Sequence, residues 1–273
     1  MLKAKSLRAA AVQALLSSDL DNKCRITREA AAAWRCKALS LRLPGDPPVP
    51  ERPGRPERPD LVAPRLLKKR SLGSVAGRLT LMHALAHIEL NAIDLALDIV
   101  ARFADGDAPP SFFGNWMQVA DDEARHFCLL RERMQALGAD YGDFPAHDGL
   151  WQAATDTRGD LVARLAIVPL VLEARGLDVT PGLAEKLRAK GDAETAAILD
   201  IIYNDEKTHV AVGAKWFRFF CARVNIRAAD RFRELVHRHF HGEIRPPFND
   251  RARSAAGLTP LFYRTLSSSA MSR

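Results

Sequence analysis

The chain has 273 residues, 47% of them hydrophobic, enough to bury a substantial core in one large domain or two small ones. A net charge of +7 favours an anionic partner, although much of the excess sits near the ends (Lys3, Lys5, Arg8; Lys68, Lys69, Arg70; Arg251, Arg253), where charges are ordinarily solvated. The four cysteines (Cys24, Cys36, Cys128, Cys221) form no C-x-x-C pair, so neither a zinc ribbon nor a redox dithiol is indicated; with no signal peptide and no membrane-length apolar run, a reducing cytoplasm is the expected location.

Residues 1–43 read as an N-terminal helical extension, with helical spacing and few breakers as far as residue 40. Residues 44–70 form a strap whose prolines, dense in PGDPPVPERPGRPERPDLVAP, prevent helix or sheet from persisting. A long helix is predicted from Ser71 or Ser74 to about Phe103, ended by DGDAPP, with Ser111 as the cap of the next. That second helix ends near Leu137, where Gly138 supplies a stop. A turn-rich crossover, DYGDFPAHDGLWQAATDT, leads to a third helix from about Asp160 to Arg175, ended by Gly176. Thr180 and Pro181 cap a short helix to Lys190, and Asp192 opens a fourth long helix to about Cys221. A further helix from about Ala228 to Phe240 precedes an irregular tail. Sustained two-residue alternation is absent, so the fold is expected to be all-α. Residues 71–221 would form a four-helix bundle with one long crossover, and residues 222–273 a C-terminal helix and tail packed on it.

Within that bundle the order Glu89, Glu123-x-x-His126, Glu173, Glu206-x-x-His209 matches the ligand recipe of di-iron carboxylate bundles, in which two helices give one Glu each and two give Glu-x-x-His. Successive glutamates lie 34, 50 and 33 residues apart, room for a long helix and a loop at each step. The spacing alone is weak, because Glu234-x-x-His237 repeats it. The neighbourhood carries more weight. The helix face of Glu89 holds Met82, Leu85, Ala86, Ala92, Ile93 and Ala96. That of Glu123 holds Trp116, Val119, Ala120, Phe127 and Leu130. Glu206 has Leu199, Ile202, Tyr203 and Val210. Four carboxylates on apolar faces repel one another unless neutralised, and two divalent cations neutralise them. Oxygen and imidazole donors together suit iron or manganese. Glu173 stands apart, between Pro169 and Gly176 and near a predicted helix end, though Ala166, Leu170 and Leu177 share its face. Tyr203, one turn before Glu206, is a candidate hydrogen-bond donor or redox phenol at the metals, or simply core. His83 and His87 lie off the Glu89 face; His147, His237, His239 and His241 fit surface or capping roles.

The strings HALAHIELNAIDLALD, DDEARHF, YGDFPAHDGLW, LEARGLDVTPG and NDEKTHVAVGAKWF resemble the DUF455 family of ferritin-like proteins over roughly residues 50 to 265. The resemblance implies a ferritin-like bundle with a di-metal centre and carries ligand roles onto Glu89, Glu123, His126, Glu173, Glu206 and His209. It is closest in kind to tRNA-modifying di-iron hydroxylases and, more distantly, to rubrerythrin-type peroxidases. The expected function is therefore a non-haem oxidoreductase with two Fe ions, or manganese, that activates O₂ to hydroxylate or oxygenate a substrate. Charge favours an anionic substrate, small molecule or RNA, and the lack of cysteine pairs implies an external electron donor. Peroxide or oxygen scavenging is the alternative. Iron storage ranks below both, because strap and tail complicate packing into a shell. A helical scaffold with structural or no metal is the reading from another class. No membrane partner is expected, and oligomerisation stays open.

Overall fold

The computed structural model describes residues 3–67 and 72–267, and the regular structure among these residues is helical, with isolated bridges and no strand. They fall into two compact units, one ending at Trp151 and the other beginning at Gln152.

The first unit opens with two helices where the spacing suggested one. α1 (Leu7–Leu15) is capped by Ser6, whose Oγ accepts from Ala9 N at 3.0 Å, and α2 (Leu20–Arg35) by Asp19, which accepts from Asn22 N at 2.7 Å. The strap then runs without regular structure to a single 3₁₀ turn at Pro64–Leu66. It is held at fixed points. Gly54 N–H donates to Leu15 O at 2.7 Å, and a Cβ at Gly54 would lie 2.3 Å from Leu16 O, so only glycine fits there. Further along, Val62 N–H donates to Ala146 O and Ala146 N–H to Asp60 O.

α3 (Val75–Arg102) starts at Ser74, whose hydroxyl accepts from Gly77 N at 3.1 Å; a start at Ser71, like the Lys68, Lys69 and Arg70 charges, lies outside the described residues. From Glu89 to Ala101 every residue of α3 is buried, as in a helix enclosed on all sides. α4 (Pro110–Ala136) packs along it. Ser111 does not cap α4: Pro110 occupies the first turn, where a missing N–H costs nothing, and Pro109 precedes it. Gly138, at φ +86°, follows the helix end. The crossover contains a helix that turn residues had hidden, α5 (Gly149–Asp156), within which the unit boundary falls.

In the second unit the predicted break at Gly176 does not occur. α6 (Leu161–Ile167), capped by Asp160, passes into a π-helical segment, Val168–Glu173, and on into α7 (Ala174–Ala189). The wide turn coincides with Pro169, and Ala174 N–H reaches back five residues to Pro169 O. Nor does Pro181 start a helix; it sits inside α7. Having no N–H, it leaves the Leu177 carbonyl without its helical donor, and Asn249 Nδ2 takes that place at 3.1 Å. α8 (Ala193–Arg223) begins after Asp192, which accepts from Thr195 N, and packs along α7. α9 (Ala228–His239) follows. The tail is more ordered than expected, with α10 (Asp250–Ala255) and α11 (Pro260–Tyr263). Arg253, expected at the surface, is buried and bonds both oxygens of buried Asp178 at 2.8 and 2.6 Å. No helix among the described residues is long and apolar enough to cross a membrane.

Candidate metal centre

In the first unit α3 and α4 bring Glu89, Glu123 and His126 to one point. His126 Nδ1 lies 3.3 Å from Glu89 Oε2 and 3.3 Å from Glu123 Oε2. All three side chains are buried, and one donor atom from each falls within 4.8 Å of the others. Donors bound to a common ion at about 2.0–2.2 Å lie at most about 4 Å apart, so small side-chain movements would close this set on a cation.

Burial, and then the Glu123 charge beside it, push the Glu89 carboxyl well above the usual range. Burial opposes charge on His126, but its hydrogen bonds to Glu123 and Glu89 outweigh that and raise it to about 11. Both shifts favour the protonated forms of Glu89 and His126. Two carboxylates and an imidazole in a dry pocket make a donor set for a divalent cation such as iron or manganese.

In the second unit Glu206 and His209 sit one turn apart and buried on α8, with His209 Nδ1 3.8 Å from Glu206 Oε1. Glu173 ends the π segment, half-buried rather than at a helix terminus. Gly176, one turn further on, faces Glu206: a Cβ there would lie 3.9 Å from Glu206 Cγ. Gly213, on the His209 face of α8, meets Pro169 so closely that a Cβ would lie 2.4 Å from the proline Cβ. Gly213 lets the rod carrying Glu173 lie against the helix carrying Glu206 and His209. Of the apolar residues predicted around the four glutamates, all are buried except half-buried Leu85 and Tyr203.

The profile of the DUF455 family, described as a protein of unknown function, matches residues 16–264. The chain belongs to the DUF455 family. The match starts earlier than the resemblance suggested and takes in α2. A Haemophilus influenzae protein described as uncharacterized is 42% identical over 209 residues, which cover 75% of this chain and 73% of the relative. No solved structure matches.

Other expectations for this DUF455 chain resolve individually. Glu234 of the decoy is exposed and paired with Arg231 and Arg238, each at 2.8 Å, and His237 is exposed too. The Tyr203 hydroxyl accepts from Asn249 Nδ2 at 3.1 Å, in the tail, and Lys207 lies over its ring. His83 and His87, expected off the Glu89 face, are both buried. His83 Nε2 accepts from Gly142 N at 3.0 Å, whereas His87 bonds the Tyr141 hydroxyl at 2.8 Å and the His147 carbonyl at 2.9 Å. His87 and His147 line a cavity of about 580 Å³ with Phe144 and Ile88. Asn249 was missed as a supporting residue. A proline at an interior helix position was its one sequence signal, because it implies an orphaned carbonyl needing a donor.

Proposed function

We propose that the chain is a ferritin-like di-metal protein, an oxidoreductase that activates O₂ to hydroxylate or oxygenate an anionic organic substrate. The ligands are Glu89, Glu123, His126, Glu173, Glu206 and His209, and the ions are two Fe, with manganese as the alternative. The convergence of buried Glu89, Glu123 and His126 on one point carries the reading. It is supported by the recurrence of Glu-x-x-His, equally buried, on α8. The chain order of long helical segments (α3, α4, the α6-to-α7 rod, α8), with the longest connection in the middle, fits the order expected of a four-helix ferritin-like bundle.

When bound, the metal pair supplies the electrons that reduce O₂. The protein's part is ligation, orientation and exclusion of water. Trp116, Val119, Ala120 and Phe127 keep the carboxylates of α4 dry, which strengthens their attraction for a cation. His126, fixed between two carboxylates, is held in one orientation before any ion arrives. Net charge of +7 favours an anionic substrate, tRNA among the candidates, and electrons come from an external donor.

Anaerobic loading with Fe(II) followed by O₂ tests the proposal. About two irons per chain and a near-ultraviolet charge-transfer band are expected. Absence of iron binding, or stoichiometry unchanged in Glu206→Ala, would refute it. Preferential consumption of hydrogen peroxide by the reduced protein would move the reading to scavenging, and comparison of modified nucleosides in cells with and without the protein tests the tRNA substrate.

A further inference from the structure

Cysteine spacing gave no sign of a redox dithiol, because the two residues concerned are 104 positions apart. Packing of α2 along α4 nevertheless brings Cys24 and Cys128 side by side on one cavity wall, near enough for each thiol to perturb the other. Both line the same open cavity of about 470 Å³, together with Asp21, Arg25 and Arg28. Their environments differ in a useful way. Cys24 is buried, so solvent and reagents reach it poorly; Cys128 is half-buried and faces the cavity beside the Arg28 cation. Cys36 is exposed and Cys221 is buried in the other unit.

We infer that Cys24 and Cys128 form a second redox site, a dithiol that hydrogen peroxide converts to an intramolecular disulfide, with Cys128 the attacking and Cys24 the resolving thiol. Closing the pair draws the two sulfurs to an S–S distance of about 2.05 Å. In the first step the Cys128 sulfur attacks one peroxide oxygen. An S–O bond forms, the O–O bond breaks, and the departing hydroxide takes the Cys128 thiol proton and leaves as water. In the second the Cys24 sulfur attacks the resulting sulfenic acid. The S–S bond forms, the S–O bond breaks, and hydroxide leaves with the Cys24 proton as a second water. Two thiols lose two electrons and one peroxide becomes two waters. Arg28 lies where it can favour the negative charge that develops at the Cys128 sulfur and the departing oxygen.

The inference does not rest on the metal centre, and the test removes metal from consideration. Full-length protein, stripped with chelator, is treated with hydrogen peroxide, and its peptides are mapped by mass under non-reducing conditions. A Cys24-to-Cys128 linked peptide should form about tenfold faster than exposed Cys36 is oxidised, in a chain of monomer size on a denaturing gel. Cys24→Ser should leave a sulfenic acid on Cys128 that a dimedone-type reagent traps, and Cys128→Ser should leave Cys24 a free thiol. Recovery of Cys24 and Cys128 as thiols while Cys36 is oxidised would overturn the inference. So would over-oxidation of Cys128 in the wild-type chain with Cys24 still free. The wild-type map decides even if a variant fails to fold.

Discussion

A carboxylate taken out of water must find a counter-charge or a proton, and that requirement separates two residues with identical local spacing. Glu234 and His237 have the same separation as Glu123 and His126. Glu234, however, sits on the exposed side of α9, where two arginines draw its pKa down, Arg231 more strongly and then Arg238. Glu123 is fully buried with another carboxylate beside it. Glu234→Gln should therefore leave iron stoichiometry unchanged, whereas Glu123→Gln should lower it sharply; metal analysis of the loaded variants reads both. This contrast was legible in sequence from the apolar neighbours of Glu123. The burial of His83 was not, because it depends on Tyr141 and Phe144, more than fifty residues away, closing over the ring. Burial lowers His83 to about 4, with Asp143 opposing only in part. The unfolded chain therefore binds more protons than the folded one between about pH 6.5 and 4, so stability is complete above that window and falls as pH drops through it. His83→Gln keeps an acceptor for Gly142 N–H and removes the titration. Its Tm should decline less steeply across the window than that of the wild type, and parallel Tm-against-pH lines would contradict this account.

At the scale of elements, sequence reading failed where a distant partner cancelled a local stop signal. Gly176 and Pro181 each resemble helix punctuation. In α7 Gly176 instead lies within the helix, facing the Glu206 side chain, and the carbonyl orphaned by Pro181 is bonded by Asn249 from the tail. That tail is fastened to the same helix by Arg253, whose fork matches both oxygens of Asp178. Without residues 249–253 a break near Pro181 would be the better reading, and no window of sequence around α7 contains them. The rod therefore continues past Glu173, which lies mid-rod at the end of a π turn. Its position against α8 depends on Gly213. A methyl group there would meet Pro169 at 2.4 Å, with pyrrolidine ring atoms that cannot rotate away. Gly213→Ala should cost about 1–3 kcal/mol, a fall of several degrees in Tm, despite the higher helix propensity of alanine. Metal affinity should weaken as well, because Glu173 is one turn from Pro169 on that rod. A variant with wild-type Tm would show that the helices have room to separate at no cost.

For the whole molecule, each unit has its own means of holding irregular chain against helices. In the first, buried Lys23 hydrogen-bonds one oxygen of Asp94 at 2.6 Å, and strap residue Arg55 forms an ion pair with the other at 2.8 Å while donating to Asn91 Oδ1, so the strap is clamped to α3. In the second, Asp178, Arg253 and Asn249 do the same for the tail. Both clamps use residues other than the six proposed ligands. The proposal assigns three ligands to each unit, and that division yields a prediction about the intact chain. If the six residues serve one centre with bridging carboxylates, removing Glu123 or Glu206 should lose both ions, since each loss leaves the remaining charges unbalanced. If each unit bound its own ion, each variant would keep one iron per chain. Saturating metal should also raise the Tm of the wild-type chain by about 5–10 °C at a hundredfold excess over Kd, because binding to the folded state alone adds about 2.7 kcal/mol. Glu123→Ala and Glu206→Ala should then abolish that rise equally. Half the rise surviving in each variant, with one iron retained, would mean that two separate mononuclear sites replace the shared centre.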